Sequence, residues 1–140
     1  MIGYLDTSSL VKLYVEEDRS MEVAAFVKDS EITATSLVAY AEARAAFARR
    51  FREGAFSDDE YQRLKSFFED DWTRYLVLNL TRECVGQAGE LAEKHALRGF
   101  DAIHLASALI LQSELSSPVV FSCFDDRLLT ASRLEKLEQM

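Results

Sequence analysis

The chain has 140 residues, of which 49% are hydrophobic and 29% charged, with a single proline. This composition is typical of a folded domain and excludes a disordered or low-complexity segment. Sixteen Lys and Arg against 24 Asp and Glu give a net charge of −8, which argues against non-specific adhesion to nucleic acid. Two cysteines are too few for a disulfide framework, and no apolar run reaches the ~18 residues that span a bilayer. We therefore expect a cytoplasmic protein with one domain over residues 1–140.

The first half of the chain alternates short apolar runs with helical patterns. The predicted elements are a buried strand at 2–5, a helix over 10–14, a short helix over 21–27, a strand at 32–34, and a helix from 37 to a stop at Gly54. Ser8 or Ser9 is expected to cap the first of these helices, and Thr35 or Ser36 the third. Asp6 directly follows the first strand, and Glu42 falls in the second turn of the third helix.

The second half continues the alternation. The predicted elements are a helix over 57–72, a strand at 75–80, a helix from 81 to near Gly99, a buried apolar helix over 100–109, a strand at 119–124, a last helix, and a very short edge strand at 137–139. Ser57 and Glu60 form a capping box, and the aromatic stripe that follows indicates a helical hairpin over 39–72 used for the core or for a subunit contact. The whole pattern predicts an α/β fold, a three-layer α/β/α sandwich around a parallel sheet of four to five strands.

Four acids fall where such a sheet collects its ligands. Asp6 and Asp125 follow strands, while Glu42 and Asp101 lie near helix starts, so all four are expected at the carboxyl edge of the sheet. Carboxylates without paired His or Cys select Mg²⁺ or Mn²⁺ over zinc. Each acid alone also has a simpler explanation as a helix cap or a solvent-facing charge, and Asp126 competes with Asp125. The convergence of all four favours a metal site.

Two other features bear on the chemistry. His104 lies three residues after Asp101, where a hydrogen-bonded core histidine is favoured over a metal ligand, and His95 is expected at the surface. The sequence offers no arrangement typical of a nucleophilic triad and no glycine loop that would cradle a phosphate.

At the four acidic positions the chain resembles the PIN-domain nucleases, in particular the VapC-type toxins of bacterial and archaeal toxin–antitoxin pairs. The matching segments are residues 4–14, 36–42, 100–106 and 124–128, in the family's order and across nearly the whole chain. Two departures stand out. Cys123 occupies a place where the family often has Thr or Ser, and Lys136 stands where the family tends to have a glycine before a short edge strand.

The resemblance implies that Asp6, Glu42, Asp101 and Asp125 hold Mg²⁺ or Mn²⁺, with Ser8 supporting them, and that the protein hydrolyses phosphodiester bonds in RNA. It also implies a homodimer and a cognate antitoxin that covers the acidic site, with an Arg or Lys taking the metal's place. Candidate contacts to RNA phosphates are Lys12, Arg44, Arg49, Arg50, Arg52 and Arg98.

Rival hypotheses come from other classes. A receiver module that accepts phosphate would carry paired acids at the first strand, and a dehalogenase-like phosphatase would carry a second Asp where Ser8 stands. A PIN-like scaffold that only binds partners would keep the fold without the reaction. The alternative function is therefore a phospho-accepting or non-catalytic α/β module with an acidic crevice.

Overall fold

The structure is a computed structural model that describes residues 1–140. Its elements are β1 (Ile2–Leu5), α1 (Thr7–Val11), α2 (Ser20–Asp29), β2 (Ile32–Ser36), α3 (Val38–Arg52), α4 (Asp58–Trp72), β3 (Leu76–Leu78), α5 (Arg82–His95), α6 (Gly99–Glu114), β4 (Val119–Ser122), α7 (Asp126–Leu134) and β5 (Glu138–Gln139). The five strands lie in the order β3-β2-β1-β4-β5, and every neighbouring pair is parallel. None of the helices is long and apolar enough to cross a membrane.

The side chains of the central strands alternate between two cores. Ile2 and Tyr4 of β1 point into a core shared with α5, α6 and α7. Leu5 of β1 and Val120 of β4 point to the other face, into a core built with α1, α2, α3 and α4. A strand with both faces buried has no polar side, which explains why β1 reads as a continuous apolar run. The predicted three-layer α/β/α sandwich with a parallel sheet is confirmed.

Several predicted boundaries and caps were wrong. Asp6 caps α1 by accepting a hydrogen bond from the Ser9 amide, so neither Ser8 nor Ser9 is the cap. Thr35 and Ser36 belong to β2, and α3 begins after Leu37 without a side-chain cap. The Thr35 hydroxyl donates a hydrogen bond to the Leu5 carbonyl of β1 at 2.8 Å. The Ser36 hydroxyl accepts the Val38 amide at 3.3 Å, in the turn that leads into α3. Thr35 and Ser36 both keep the extended backbone of the strand, which a cap residue also adopts, and so the sequence does not distinguish the two roles.

The observed ends of several other elements also differ from the predicted ones. The strand β3 is shorter than the predicted 75–80, and β4 ends at Ser122 instead of 124. Ala96 adopts the left-handed conformation and ends α5, which leaves Gly99 to begin α6. The α6 helix then continues five residues beyond its predicted end at 109.

The predicted surface position of His95 is also wrong, since its side chain is only 7% exposed and its Nε2 lies 2.8 Å from Glu135.

The hairpin of α3 and α4 packs through its aromatic rings. Phe68 of α4 is fully buried, lies edge-on to Phe47 of α3, and stacks on Tyr40. Trp72 completes the group against Tyr40 and Phe68. Most of the predicted aromatic stripe therefore belongs to the core, and Phe67 alone of its phenylalanines is well exposed.

The fifth strand forms despite the missing glycine. Lys136 has φ of 65°, the left-handed conformation that glycine adopts without cost. The chain can nevertheless turn there, and Glu138 and Gln139 pair in parallel with Val120 and Phe121 of β4. Five strands, the upper end of the predicted range, are therefore present.

Gly3 in β1 leaves no room for a side chain. A Cβ atom there would collide with the Ser30 hydroxyl and lie 3.0 Å from the Phe26 ring, so both side chains would have to shift. We expect Gly3→Ala to lower the free energy of unfolding by about 1–3 kcal/mol through overpacking. At Gly86 in α5 a Cβ would meet open space, so Gly86→Ala should raise it by about 0.4–1 kcal/mol. Urea unfolding of both variants tests this, and equal effects of the two substitutions would contradict the account.

Candidate functional site

The carboxyl ends of the central strands open into a cavity of about 350 Å³. All four predicted acids, Asp6, Glu42, Asp101 and Asp125, line this one cavity. They come from four different elements: the caps of α1 and α7, the second turn of α3 and the first turn of α6. The parallel sheet gathers them, because helices that follow parallel strands all begin at the same edge.

Asp6 is the most deeply placed of the four acids. It is 4% exposed, and its Oδ1 accepts hydrogen bonds from the Ser8 hydroxyl at 2.7 Å and the Ser9 amide at 2.9 Å. Burial disfavours its charged form and raises the pKa of Asp6, although nearby His104 and the bonds from Ser8 and Ser9 oppose the rise. The predicted supporting position of Ser8 thus corresponds to a direct contact with the Asp6 carboxylate.

Glu42 sits in the opposite electrostatic situation. Its Oε1 accepts a 2.6 Å hydrogen bond from the Thr7 hydroxyl and lies 3.1 Å from Nε2 of His104. Burial alone would raise the pKa of Glu42, but the hydrogen bonds from His104 and Thr7 outweigh it, so the pKa is lowered. Glu42 is therefore held as a carboxylate while Asp6 is pushed towards its neutral form.

Arg98 stands beside the remaining two acids. Its Nε lies 3.4 Å from Oδ2 of Asp101, and one of its terminal nitrogens lies 4.0 Å from Oδ2 of Asp125. The other oxygen of Asp125 accepts the Leu128 amide at 2.9 Å and so caps α7. Asp126 is exposed and lines only the neighbouring depression, which Asp101 and Asp125 also border. The geometry therefore favours Asp125 over Asp126 as the fourth acid of the cavity.

The donor chemistry of the cavity fits a hard divalent cation. One oxygen of each of Asp6, Glu42 and Asp125 is fixed by a hydrogen bond from the protein, while Oδ2 of Asp6 and Oε2 of Glu42 accept none. Carboxylate oxygens that are anchored on one side and available on the other suit Mg²⁺ or Mn²⁺. No three acidic, His or Cys side chains are already drawn together into a complete cage. These residues fit the cation as donors, and the cage itself is not preformed.

Basic side chains line the same cavity. Lys12 and Arg50 reach it from α1 and α3, where both pair with Glu17, at 3.3 and 3.7 Å. Arg49 and Arg98 also border it. Arg44, by contrast, pairs with Glu69 at 3.0 Å and does not line the cavity. Four of the six predicted phosphate contacts therefore share a cavity with the acids, and Arg44 and Arg52 do not.

Sequence reasoning missed the polar residues behind Glu42. His104 is a hydrogen-bonded core histidine, as expected, but two of its partners, Tyr4 and Thr7, were not singled out. Tyr4 had appeared only as a member of an apolar strand. The histidine in an otherwise apolar helix is the sequence feature that indicates these partners, because both ring nitrogens of a buried histidine require hydrogen bonds.

Cys123 lies near the acids without adding a charge to them. It is buried, and burial together with the negative potential of Asp6, Asp125 and Asp101 raises the pKa of its thiol far above the usual range. The raised pKa favours the protonated thiol, which adds no negative charge to the acids. The nearest hydroxyl on this strand, that of Ser122, bonds to the Ser9 hydroxyl at 2.8 Å and is likewise engaged elsewhere.

Comparison with known proteins agrees with this geometry. The family model described as PIN domain matches residues 3–134. The chain belongs to the PIN-domain family. The match spans all four acids of the cavity, and the predicted family resemblance is confirmed.

Among curated proteins, this PIN-domain chain is similar to Ribonuclease VapC45 of Mycobacterium tuberculosis (strain CDC 1551 / Oshkosh). The two are 39% identical over 106 residues, which cover 76% of this chain and 74% of the relative.

Among solved structures, it resembles VapBC2 from Rickettsia felis bound to a DNA fragment from their promoter, with a TM-score of 0.66 and 16% identity over 100% of this chain and 98% of the other. A toxin-antitoxin complex from Klebsiella pneumoniae matches with a TM-score of 0.58 and 17% identity over 84% and 83% of the two chains. At such identities the structural likeness shows the shared fold.

The buried charge of Asp6 yields a prediction about stability. A carboxyl whose pKa is raised by folding stabilises the folded state below its unfolded pKa and loses that contribution as the pH rises through its folded pKa. At neutral pH, without divalent metal, Asp6→Asn should therefore raise the free energy of unfolding, by up to about 1 kcal/mol. The asparagine oxygen can still accept the Ser9 amide, so the cap of α1 is kept.

Thermal unfolding of wild type and Asp6→Asn in EDTA and in Mn²⁺ measures this. Mn²⁺ should raise the Tm of the wild type more than that of Asp6→Asn, because a cation that binds only the folded state stabilises it by an amount that rises with the logarithm of its affinity. Ser132→Ala, at a buried hydroxyl on α7, serves as a control for general effects on folding. A lower Tm for Asp6→Asn in EDTA would contradict the prediction.

Proposed function

We propose that this PIN-domain chain is an Mg²⁺- or Mn²⁺-dependent endoribonuclease and the toxin of a toxin–antitoxin pair. The observation that carries the proposal is the cavity in which Asp6, Glu42, Asp101 and Asp125 meet beside basic side chains. Similarity to Ribonuclease VapC45 supports the enzyme class. We take residues 1–140 to act as one PIN-like domain in the cytoplasm.

The four acids would hold the cation through the carboxylate oxygens that face the cavity. A bound divalent cation would polarise the phosphodiester and lower the pKa of the attacking water. The protein's own contribution is to fix the acids: Ser8 and the Ser9 amide hold Asp6, Thr7 and His104 hold Glu42, and the Leu128 amide holds Asp125. An acid fixed at one oxygen loses little entropy when its other oxygen binds.

RNA would approach along the basic side of the cavity. Lys12, Arg49, Arg50 and Arg98 line it and carry the charge that a polyanion requires on a protein of net charge −8. Glu17 pairs with both Lys12 and Arg50, which keeps these two cations at the cavity in the free protein. Arg98 would exchange its contacts with Asp101 and Asp125 for an RNA phosphate once a cation neutralises the acids.

A protein partner would regulate the nuclease. Similarity to the toxin-antitoxin complex from Klebsiella pneumoniae supports a cognate antitoxin as partner. We infer that this antitoxin covers the acidic cavity. Four carboxylates around one cavity attract a cationic side chain as they attract a metal ion, so an Arg or Lys of the antitoxin can take the metal's place. We also propose that the active toxin is a homodimer.

Replacing single acids tests the site. Asp101→Asn and Asp125→Asn should each slow RNA cleavage by on the order of 100-fold or more, because each removes charge from the position where the reacting phosphate is stabilised. Asp126→Asn is the matched control: it removes the same charge one residue away, outside the main cavity, and should leave cleavage unchanged.

Cleavage of a mixed RNA panel with Mg²⁺ or Mn²⁺, with and without EDTA, provides the measurement. Loss of cleavage in EDTA and in both site variants supports the proposal. Cleavage by Asp101→Asn at the wild-type rate would instead assign the activity to a contaminant and favour a phospho-accepting or non-catalytic module.

The basic side of the cavity is tested by RNA affinity. In an Asp101→Asn background, which binds without cutting, Arg49→Ala with Arg50→Ala should weaken binding and reduce the slope of log K against log salt by roughly 0.7 per lost phosphate contact. Arg44→Ala removes an arginine of the same helix that does not line the cavity and should leave the slope unchanged. An unchanged slope for the double variant would remove this surface from the RNA path.

A further inference from the structure

His104 is the only titratable side chain of α6 that is buried in the protein interior. It is 1% exposed and is surrounded along the helix by Ala102, Leu105, Ala106 and Ala108, all fully buried. Both of its ring nitrogens have partners: Nδ1 lies 3.0 Å from the Tyr4 hydroxyl, and Nε2 lies 3.0 Å from the Thr7 hydroxyl and 3.1 Å from Oε1 of Glu42. A polar ring in such surroundings is costly unless it is fully hydrogen-bonded, and this one is.

The partners determine which ring nitrogen carries the proton. Glu42 is a carboxylate that can only accept, and the Thr7 hydroxyl spends its single proton on Oε1 of Glu42 at 2.6 Å. Nε2 of His104 must therefore donate. In the neutral ring Nδ1 is then the acceptor, and the Tyr4 hydroxyl donates to it.

The direction of these bonds ends at the candidate site. From the Tyr4 hydroxyl through the His104 ring to Glu42, each group donates to the next, and Thr7 donates to the same Glu42 oxygen. Both bonds reach Oε1, so Oε2 accepts no hydrogen bond from the protein and stays available to the cavity. Tyr4 is held in turn by stacking on Phe121 of β4, which ties the chain of bonds to the central sheet.

We propose that Tyr4 and His104 are positioning residues which, together with Thr7, hold Oε1 of Glu42 so that Oε2 faces the divalent cation. This inference rests on the proposed function and deepens it. His104 lines the cavity, but both of its ring nitrogens are taken up by protein partners, so it would not bind the cation itself. It acts through Glu42, as residues behind a ligand commonly do when they fix its orientation, and their loss typically costs 10- to 100-fold in metal affinity.

A purely structural histidine would behave differently. It would fill space and satisfy the interior, so replacing it would lower stability without altering the affinity of the folded protein for a cation. His104→Leu keeps the volume and removes both bonds. His104→Gln keeps an N–H donor near the position of Nε2, and Tyr4→Phe removes only the hydroxyl. Leu105→Val, at the adjacent fully buried residue of α6, lowers stability through packing alone and leaves the hydrogen bonds to Glu42 intact.

The first measurement needs neither metal nor RNA. NMR of protein labelled with ¹⁵N-histidine reports which ring nitrogen carries the proton, and with only two histidines the signals are assigned by a His95→Gln variant. We expect Nε2 of His104 to carry a proton, because its neighbours Glu42 and Thr7 leave it only the role of donor. A proton on Nδ1 instead would overturn the inference, because Nε2 could then give nothing to Glu42.

The second measurement is Mn²⁺ binding by calorimetry to the folded wild type and variants, with Tm recorded for each. His104→Leu should weaken Mn²⁺ binding by about 10- to 100-fold. His104→Gln should stay closer to the wild type, and Leu105→Val should bind like the wild type at a reduced Tm. Tyr4→Phe should fall between wild type and His104→Leu. If His104→Leu does not fold, His104→Gln and Tyr4→Phe decide the matter, and wild-type affinity in Tyr4→Phe overturns the role of Tyr4.

The outcomes separate the inference from the function on which it rests. Wild-type protein that binds Mn²⁺ and cleaves RNA, with equal Mn²⁺ affinity in His104→Leu, overturns the positioning role and leaves the nuclease in place. Wild-type protein that neither binds Mn²⁺ nor cleaves RNA overturns the proposed function, and the positioning of Glu42 for a cation with it. Reduced affinity in His104→Leu together with retention in His104→Gln supports both.

Discussion

The structure depends on the buried carboxyl group of Asp6, which lies at the carboxyl end of the central strand β1. Removing a carboxylate from water is costly, and the raised pKa of Asp6 is the record of that cost. Two hydrogen bonds from the first turn of α1 offset it only in part. The strand itself cannot move away, because β1 is paired on both sides, with β2 and β4, and buried on both faces. Keeping a carboxyl group in such a place costs free energy, and a bound divalent cation would offset that cost.

The other acids show how one cavity can treat identical groups differently. Glu42 is only partly buried and receives two strong donors, so its charge is favoured, whereas Asp6 receives comparable donors under much deeper burial. The exposed Arg98 lies near both Asp101 and Asp125, and Asp125 also accepts the Leu128 amide. Like charges around one cavity repel each other. Because the four acids differ in burial and in the hydrogen bonds they accept, this repulsion costs the metal-free folded state less free energy. The same differences leave oxygens free for a metal ion.

The charge of the whole protein and the charge at its site point in opposite directions. A net charge of −8 repels RNA at long range, yet four basic side chains stand at the acidic cavity. Glu17 sits between Lys12 and Arg50 and lowers their pull on distant phosphates while keeping them in place. Such a surface disfavours loose binding along any polyanion and reserves attraction for a segment that reaches the cavity.

Much of this could be read from the amino-acid order because the governing interactions are local. Apolar runs, helical spacing and caps are set by neighbours within a few residues, and so the layered fold and the four acids at the sheet edge followed from the pattern. The predicted boundaries are wrong where the local sequence is compatible with two conformations. Thr35 and Ser36 suit a cap as well as a strand end, and Lys136 adopts a left-handed turn that its sequence does not announce.

What only the tertiary structure decided concerns groups far apart in the chain. Tyr4 and His104 are separated by 100 positions, and Thr7 and Glu42 by 35, so no spacing rule could pair them. The choice between Asp125 and Asp126 was likewise beyond the sequence, because both follow the same strand and only the start of α7 turns one towards the cavity. The sequence by itself determined which groups exist and which element carries each. Hydrogen-bond direction, burial and the resulting pKa depend on distances of about 3 Å between elements, which exist only after the sheet has brought those elements together.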